Sequence, residues 1–380
     1  MTFEEALNRI ASLQTKGWRL GLDRMEEFLR RAGLDDALGH AAKPDPHNAR
    51  PTSHGWMPVR DGDPRPHPQP LSTGVERGVR PRFIHVAGTN GKGSVTAFLQ
   101  SLLVAQGYRT GATFSPYVYD VRERIQIDGE LISREQFAAI AERLWPIAVE
   151  MEGTPFEGPT EFEFKTAMGF AAWKEAGCEW VALETGLGGR LDATNVVTPA
   201  CSAIVSIGYD HQAILGNTLR EISVEKAGII KLGCPVVIGV MDDEPLKAIL
   251  DISAERGSPA WVLGRDVQFG ADWVEGPGFR YDGLHPGIRG AVQPHNLAVA
   301  IAALHAAGAV RDPSQISEGA GRTRLPGRME ERWVDGKLWI LDGAHNAESA
   351  QSVVDSLYRW QPAGSLPYRW RLAGTNLHQR

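Results

Sequence analysis

The segment Gly88-Thr89-Asn90-Gly91-Lys92-Gly93-Ser94 carries residue types that bind phosphate. An apolar run, 83–87, precedes it and an amphipathic stretch, 95–106, follows it, which predicts a strand, a glycine loop and a helix in that order. Glycines permit a tight turn whose backbone N–H groups point at an anion, and the helix dipole adds to the attraction. Lys92 can then reach the β- and γ-phosphates, and the Ser94 hydroxyl can bind Mg²⁺. The segment therefore predicts a nucleoside triphosphate site.

The spacing departs at two positions from the common phosphate-loop pattern, G-x-x-x-x-G-K-S/T. Val86 stands where that pattern has its first glycine, and Gly93 separates Lys92 from Ser94. A glycine turn with a surface lysine is the alternative interpretation. The strand and helix predicted on either side of the loop favour phosphate binding over that alternative.

Ser115, Glu184 and His211 each stand at or just after the end of a predicted strand. Open α/β sheets bind ligands beyond the carboxyl ends of their strands, and Mg²⁺ prefers a few hard oxygen ligands. A glutamate that ends an apolar strand is costly unless it is paired or bound to a metal. An ion-paired Glu184 and a capping or core His211 remain the alternatives for these two residues.

Three glycines in four residues open the segment 186–195, so its backbone can approach a ligand closely. Arg190, Asp192 and Asn195 can then supply specific hydrogen bonds. The alternative is a loop with a helix cap at Thr194 or Asn195.

Polar residues also stand in apolar or turn contexts farther along the chain. Lys226 lies on an otherwise apolar helix face, either as a surface group or as a buried base with a lowered pKa. Asn296 can cap a helix or bind a base, and Arg328 lies in a proline–glycine turn. The segment Asp342-Gly343-Ala344-His345-Asn346 follows the predicted strand 338–341, which suits a cleft between two domains.

The composition sets limits on the class of protein. With 380 residues the chain is long enough for two domains, and its net charge of −6 argues against a nucleic-acid binder. Three cysteines without metal-site spacing indicate a reducing compartment. The N-terminal residues lack the pattern of a signal peptide, and no apolar run reaches membrane-spanning length. We expect a cytoplasmic protein that binds neither membrane nor nucleic acid.

Alternating strand and helix patterns predict an α/β fold with a mostly parallel, three-layer sheet. The strands are predicted at 83–87, 109–114, 124–127, 180–184, 203–207, 235–240, 330–334 and 338–341, with short strands and turns over 262–292. The helices are predicted at 2–14, 22–32, 95–106, 133–151, 164–176, 219–230, 296–307 and 347–360. We expect one domain over 1–310 and a smaller α/β domain over 311–380.

A proline-rich segment, 41–81, interrupts the first predicted domain. It holds nine of the 24 prolines in the chain, and its part 61–70 cannot form a helix or a central strand. We interpret it as a flexible or extended insertion. A histidine metal tract at His47, His54 and His67 is the less favoured alternative.

Five motifs in this order resemble the folylpolyglutamate synthase/dihydrofolate synthase family, a branch of the Mur ligase superfamily. They are the phosphate loop and the segments 184–195, 210–211, 225–229 and 342–346. Apart from the insertion, the resemblance runs from about residue 3 to residue 355. It implies an ATPase domain with a phosphate loop, a smaller C-terminal α/β ligase domain and a monomeric protein.

The resemblance implies that ATP phosphorylates a carboxylate of dihydropteroate or tetrahydrofolate, and that the amine of L-glutamate displaces the phosphate. Which of the two substrates is used, or whether both are, stays open. Two Mg²⁺ ions and a carbamylated Lys226 are implied as well.

The same resemblance implies roles for individual residues. Catalysis is expected of Lys92, His211, Lys226, Asp342 and His345. Nucleotide contacts are expected from the phosphate loop, Gly88 to Ser94, and from Asn296, Arg328 and Asp342. Metal contacts are expected from Ser94, Ser115, Glu184, His211 and Lys226. Substrate contacts are expected from Phe162, Glu163, Arg190 and Asp192.

Three features depart from the family pattern. The insertion 41–81 directly precedes the strand of the phosphate loop, Tyr117 stands where histidine is common, and the chain ends at Arg380, where the family's C-terminal domain usually continues. An incomplete C-terminal domain leads to the alternative of a nucleotide-binding homologue without ligase turnover. A Mur-type ligase for a peptidoglycan precursor is a third hypothesis, which Gly93 and the segment 188–192 disfavour.

Overall fold

The computed structural model describes residues 1–17, 19–38 and 80–360. The insertion predicted at 41–81 lies outside these ranges except for its last two residues, and so does the segment 361–380 of the predicted second domain.

The main sheet has eight strands within the described residues. They are β1 (Arg82–Ala87), β2 (Thr110–Thr113), β3 (Gln126–Ile127), β4 (Glu130–Leu131), β5 (Trp180–Glu184), β6 (Cys201–Ile204), β7 (Val236–Ile238) and β8 (Ala260–Val262). Their order in the sheet is β4-β3-β2-β5-β1-β6-β7-β8. The six neighbouring strands β2-β5-β1-β6-β7-β8 pair in parallel. The predicted parallel α/β sheet is therefore confirmed, with an antiparallel hairpin of β3 and β4 at one edge.

Helices cover both faces of this sheet. They are α1 (Phe3–Ser12), α2 (Asp23–Arg31), α3 (Lys92–Ala105), α4 (Arg134–Glu152), α5 (Glu161–Glu175), α6 (Gln212–Leu215), α7 (Leu219–Ala227), α8 (Asp243–Glu255), α9 (Gln293–Ala306), α10 (Ile316–Arg322) and α11 (Ala347–Trp360). Helices α3, α9 and α10 pack on one core, α1, α2, α4 and α5 on a second, and α7 and α8 on a third. The three layers follow from the apolar strands, which must be covered on both faces.

Two predicted boundaries differ from the structure because of helix caps. Arg124, predicted as the first residue of a strand, instead ends a short 3₁₀ turn over 121–124, since the Asp120 and Glu123 side chains cap this turn reciprocally. Helix α5 begins at Glu161 rather than at residue 164, since Thr160 and Glu163 form a capping box. Helices α8 and α10 were not predicted at all.

A small C-terminal unit lies against the main sheet. It consists of the antiparallel pair β12 (Glu330–Val334) and β13 (Lys337–Leu341) and helix α11, around a small cluster that includes Met329, Val353 and Leu357. Helix α10 instead contributes Ile316 and Ala320 to the main core. The domain boundary at 310–311 stays a prediction.

A second, three-stranded sheet occupies part of the region 262–292, as the turn-rich pattern there predicted. Its strands are β9 (Gln268–Phe269), β10 (Val274–Gly276) and β11 (Phe279–Tyr281). Across 1–17, 19–38 and 80–360, no helix is both long and apolar enough to cross a membrane.

Candidate active site

The phosphate-loop residues lie between β1 and α3, at the carboxyl end of the most central strand. Gly91 has a φ of 83°, and a Cβ there would lie 2.7 Å from Asn296 Oδ1, so a side chain would be both strained and obstructed. The loop is fixed from the neighbouring strand, because Thr89 N donates to Ser206 O (2.9 Å) and Asn90 N donates to Ser206 Oγ (2.9 Å). The loop is therefore rigid and pre-formed.

Two lysines converge on one carbonyl of this loop. Lys92 Nζ donates to Gly88 O at 3.0 Å and Lys226 Nζ donates to the same oxygen at 2.9 Å. Burial, followed by the charge of Lys92, lowers the pKa of Lys226 to about 7, and burial also lowers the pKa of Lys92. The predicted alternative of a surface Lys226 is excluded, since only 4% of that residue is exposed. The two amines create a site that favours an anion.

Glu184 ends β5 and faces the phosphate loop. The residue is 3% exposed, its Oε2 accepts a hydrogen bond from Ser115 N at 2.9 Å, and burial raises its pKa to about 7. A Cβ on Gly93 would lie 3.6 Å from Glu184 Oε2, which places this carboxylate beside the start of α3. Such a buried carboxylate is costly unless a cation or a proton accompanies it.

Ser94, Ser115 and Glu184 form a small oxygen set of the kind that suits Mg²⁺. Ser94 is buried, and Gln293 Nε2 lies 3.5 Å from its Oγ. Two hydroxyls and a carboxylate next to a phosphate loop fit a magnesium ion whose remaining ligands are phosphate and water. No cluster of three or more His, Cys, Asp or Glu side chains able to hold a metal occurs in the part of the chain that the structure describes.

Asp210, His211 and His345 meet near the same edge. His345 Nε2 lies 3.3 Å from Asp210 Oδ2, and His345 Nδ1 lies 3.0 Å from Gly343 O. Both partners can only accept, so both ring nitrogens must carry a hydrogen for the two bonds to form together. His211 is half exposed, and its Nε2 lies 3.8 Å from Asp210 Oδ1. The C-terminal unit thus reaches the strand end that carries His211.

Asn90 makes a second connection between the phosphate loop and the C-terminal unit. Its Nδ2 donates to Glu348 Oε2 at 3.0 Å, and its Oδ1 accepts from Asn346 Nδ2 at 3.1 Å. Both partners lie at or just before the start of α11.

The other residues predicted to contact nucleotide have partners within the protein. Asn296 Nδ2 donates to Gln293 Oε1 at 3.1 Å, and Arg328 Nη1 donates to Gly327 O at 2.9 Å. The Asp342 carboxylate accepts from the backbone N–H groups of Met329 and Ala344, each at 2.9 Å. In this structure Asp342 therefore braces the C-terminal unit, and its nucleotide role stays a prediction.

A cavity of about 690 Å³ opens beside Glu184 and runs between α5, the loop after β2 and the C-terminal unit. Of the predicted substrate residues, Phe162, Glu163 and Asp192 line it, whereas Arg190 does not. Arg190 pairs with Glu225 instead, with Nη2 2.8 Å from Oε1.

The predicted substrate residues in the cavity are held firmly. Glu163 Oε2 accepts from Arg24 Nε at 2.7 Å and from Thr160 Oγ1 at 2.8 Å. A Cβ on Gly186 would lie 2.3 Å from the Phe162 ring, so this glycine is required for the ring to pack there. Phe162 therefore forms a rigid apolar wall.

Sequence reasoning missed three cations that line the same cavity, Arg19, Arg124 and Lys165. Lys165 offered a signal, because it stands in the otherwise apolar run Phe162 to Trp173. Arg124 offered none, since the alternation around it resembled a strand.

Comparisons with known proteins give one consistent result. No family model matches the chain. The dihydrofolate synthase/folylpolyglutamate synthase of Bacillus subtilis is 38% identical over 293 residues, which is 73% of this chain and 67% of that protein.

Solved structures are similar as well. E. coli FolC in complex with DHPP and ADP matches with a TM-score of 0.76 and 26% identity, over 96% of this chain and 76% of that chain. A bifunctional folylpolyglutamate synthase/dihydrofolate synthase with Mn, AMPPNP and L-glutamate bound matches with a TM-score of 0.73 and 28% identity, over 94% of this chain and 75% of that one.

Proposed function

Because the chain belongs to the folylpolyglutamate synthase/dihydrofolate synthase family, we propose that it is an ATP-dependent ligase that joins L-glutamate to a folate or dihydropteroate carboxylate. The main support for this proposal is the position of Lys92, Lys226 and Glu184, which meet where the phosphate loop adjoins the large cavity. That junction is where a nucleotide phosphate and a carboxylate substrate can meet.

The reaction has two steps that the geometry suits. A substrate carboxylate oxygen attacks the γ-phosphorus of ATP and ADP leaves, which gives an acyl phosphate. The glutamate amine then attacks the acyl carbon and phosphate leaves as the amide forms, with loss of a proton from nitrogen. Lys92, at the start of α3, stabilises the charge on the transferred group together with the backbone N–H groups of the loop.

Ser94, Ser115 and Glu184 are the residues that would hold Mg²⁺. The ion, when bound, neutralises charge on the phosphates and lowers the barrier to phosphoryl transfer. His211 and Lys226 belong to a second metal site in this proposal.

Lys226 Nζ is a hydrogen-bond donor in this structure, and the ammonium form of a lysine cannot bind a metal. Its pKa of about 7 leaves a large fraction of the amine unprotonated at neutral pH, which is the form that attacks CO₂. The N–C bond forms, a proton is released, and the carbamate that results carries two oxygens. Carbamylation would thus convert Lys226 from a cation into a metal ligand.

A second cavity, of about 410 Å³, lies between the start of α9 and the C-terminal unit, and Gln293, Met329, Ile340 and Ser356 are among its lining residues. Gln293 is one helical turn from Asn296, which touches the phosphate loop. We assign the nucleoside of ATP to this cavity and the folate substrate to the larger one. We expect the protein to act as a monomer on small molecules.

Phosphate release by the purified chain tests the proposal. The assay contains Mg-ATP and L-glutamate, with dihydropteroate, tetrahydrofolate or neither, and the Lys92→Ala variant is the control for contaminating ATPases. Release that depends on one of the folate substrates supports the ligase and selects between its two activities. ATP binding without such release contradicts it and leaves a nucleotide-binding protein.

A further inference from the structure

Arg124 and Lys165 line the large cavity, yet neither has a role in the function proposed above. Arg124 is the last residue of the 3₁₀ turn after β2, and Lys165 lies in the second turn of α5. Their charges are close enough that the charge of Arg124 lowers the pKa of Lys165, after the larger effect of burial.

Arg124 has more hydrogen-bonding capacity than its surroundings satisfy. Its Nε is buried without a hydrogen-bond partner among the described residues, and its Nη2 makes one long contact, 3.4 Å from Ser115 Oγ. The guanidinium lies over the Phe162 ring, 5.1 Å from the centroid, which fixes its plane. A guanidinium fixed in this way is prepared for a planar, two-oxygen partner.

Lys165 is 6% exposed and has one protein anion, Glu161, one helical turn earlier. Its Nζ lies 5.7 Å from the centre of the Tyr117 ring. The Lys165–Glu161 pair is part-buried, and a buried lysine with a single partner anion would be stabilised by a further anion at this position.

Besides Glu161, four carboxylates line the cavity, and each accepts hydrogen bonds from other groups. Glu184 accepts from Ser115 N, and Asp192 accepts from Leu187 N and Thr194 N, although both carboxylates also act electrostatically on Arg124. Glu163 is engaged by Arg24 and Thr160, and Glu123 accepts the backbone N–H groups of residues 118, 119 and 120 at 2.7 to 2.8 Å. Arg124, Lys165 and Glu161 by themselves carry a net charge of +1, which Glu184 and Asp192 partly offset at Arg124.

We propose that Arg124 and Lys165 form a carboxylate-binding site in the large cavity, which recognises a carboxylate other than the one that is phosphorylated. The inference rests on the proposed ligase function, whose substrates supply two sources of such a group. One is the incoming glutamate, and the other is the α-carboxylate of the glutamyl residue that tetrahydrofolate carries and dihydropteroate lacks. Arg124 Nη2 lies 3.4 Å from Ser115 Oγ. A carboxylate bound to Arg124 would therefore lie near the end of the cavity that faces the phosphate loop.

Lys165→Met tests the site, since methionine keeps the unbranched stem and removes the charge. The KM for the substrate that supplies the carboxylate should rise at least about tenfold, the cost of one charge-assisted hydrogen bond, with kcat little changed. Lys165→Arg should restore the KM. Lys174→Met is the matched control on the same helix, because Lys174 pairs with Asp36 outside the cavity.

The two sources give different outcomes. A raised KM for L-glutamate alone assigns the site to the incoming amino acid, and a raised KM for tetrahydrofolyl-glutamate but not for dihydropteroate assigns it to the glutamyl residue of the folate. Unchanged KM values for all three, or a loss of kcat alone, would overturn the proposal. Calorimetry can measure the binding of tetrahydrofolyl-glutamate and L-glutamate to the parent and to Lys165→Met, with AMPPNP present. Because binding needs no turnover, this measurement distinguishes a failure of the carboxylate site from a failure of the proposed ligase function. Weaker binding to the variant supports the site even without turnover, and equal binding refutes it.

Discussion

His85 Nε2 lies 2.8 Å from Thr194 Oγ1 in the interior of the main sheet. Thr194 Oγ1 lies in turn 2.5 Å from Asp192 Oδ1, and that carboxylate also accepts from the backbone of Leu187. A carboxylate only accepts, so the threonine hydrogen points at Asp192 and His85 must donate through Nε2–H. Burial lowers the pKa of His85 to about 3, which keeps the ring neutral, and its Nδ1 has no partner among the described residues. The histidine therefore orients a carboxylate in the wall of the substrate cavity.

Thr194→Val should break this chain of hydrogen bonds. Valine matches threonine in shape but leaves the His85 N–H and one Asp192 oxygen without their partner, so the free energy of unfolding should fall by about 2 to 3 kcal/mol. Urea denaturation measures the change. Thr194→Ser keeps the hydroxyl and should retain most of the stability; a valine variant as stable as the parent would show that the chain contributes nothing.

Lys92→Ala should abolish turnover, with a loss of at least about a hundredfold in kcat, because the variant loses the cation that the first turn of α3 supplies to the transferred phosphoryl group. Steady-state phosphate release measures it. Lys247→Ala is the matched control, since Lys247 is exposed on α8 and pairs only with Asp251. Undiminished turnover in Lys92→Ala would remove the phosphate loop from the mechanism.

Lys226→Ala should lose activity and regain part of it with small carboxylates such as formate or acetate. The reason is that a free carboxylate can replace the oxygens of a carbamate but not those of an amine. The test is phosphate release against carboxylate concentration, with Lys92→Ala as the variant that should show no rescue. Full activity of Lys226→Ala without any added carboxylate would refute the carbamate.

Glu184→Gln should stabilise the fold while it removes the activity. Burial raises the folded-state pKa of Glu184 from 4.5 to about 7. The contribution of Glu184 to the stability of the parent protein is therefore fully present below pH 4.5 and is lost as the pH rises through 7. Without nucleotide or metal, the stability gain of the variant should therefore grow from about 1 kcal/mol at pH 5 to roughly 3 kcal/mol at pH 8.

Chemical denaturation in EDTA at the two pH values measures this gain. Glu255→Gln, at an exposed position of α8, is the control and should show no such growth. A gain for Glu184→Gln that is independent of pH would show that the carboxylate is not destabilised by burial.

Local signals made the phosphate loop and the strand-end residues predictable. A glycine loop between an apolar run and a helix is a pattern of neighbouring residues, and Glu184 ends a strand whose burial can be inferred from its composition. The 3₁₀ turn at 121–124 was missed because its cause is a side-chain cap, which competes with an apparent strand pattern.

The cavity could not be predicted in the same way. Arg124 and Lys165 are 41 positions apart in the sequence (165 − 124), and only the tertiary fold brings them to one wall. The hydrogen bonds of Asp342 likewise depend on where the backbone of Met329 lies, which no local pattern contains.

The hydrogen bonds from Asn90 to Asn346 and Glu348 make the phosphate loop a contact point of the C-terminal unit. Any ligand that reorganises Asn90 changes the free energy of this contact, and thermodynamic linkage requires the converse. If nucleotide binding changes the equilibrium constant for the position of α11, a shift of α11 changes the affinity for nucleotide by the same factor. A negatively charged phosphate in the loop would repel the Glu348 carboxylate and so weaken this one contact.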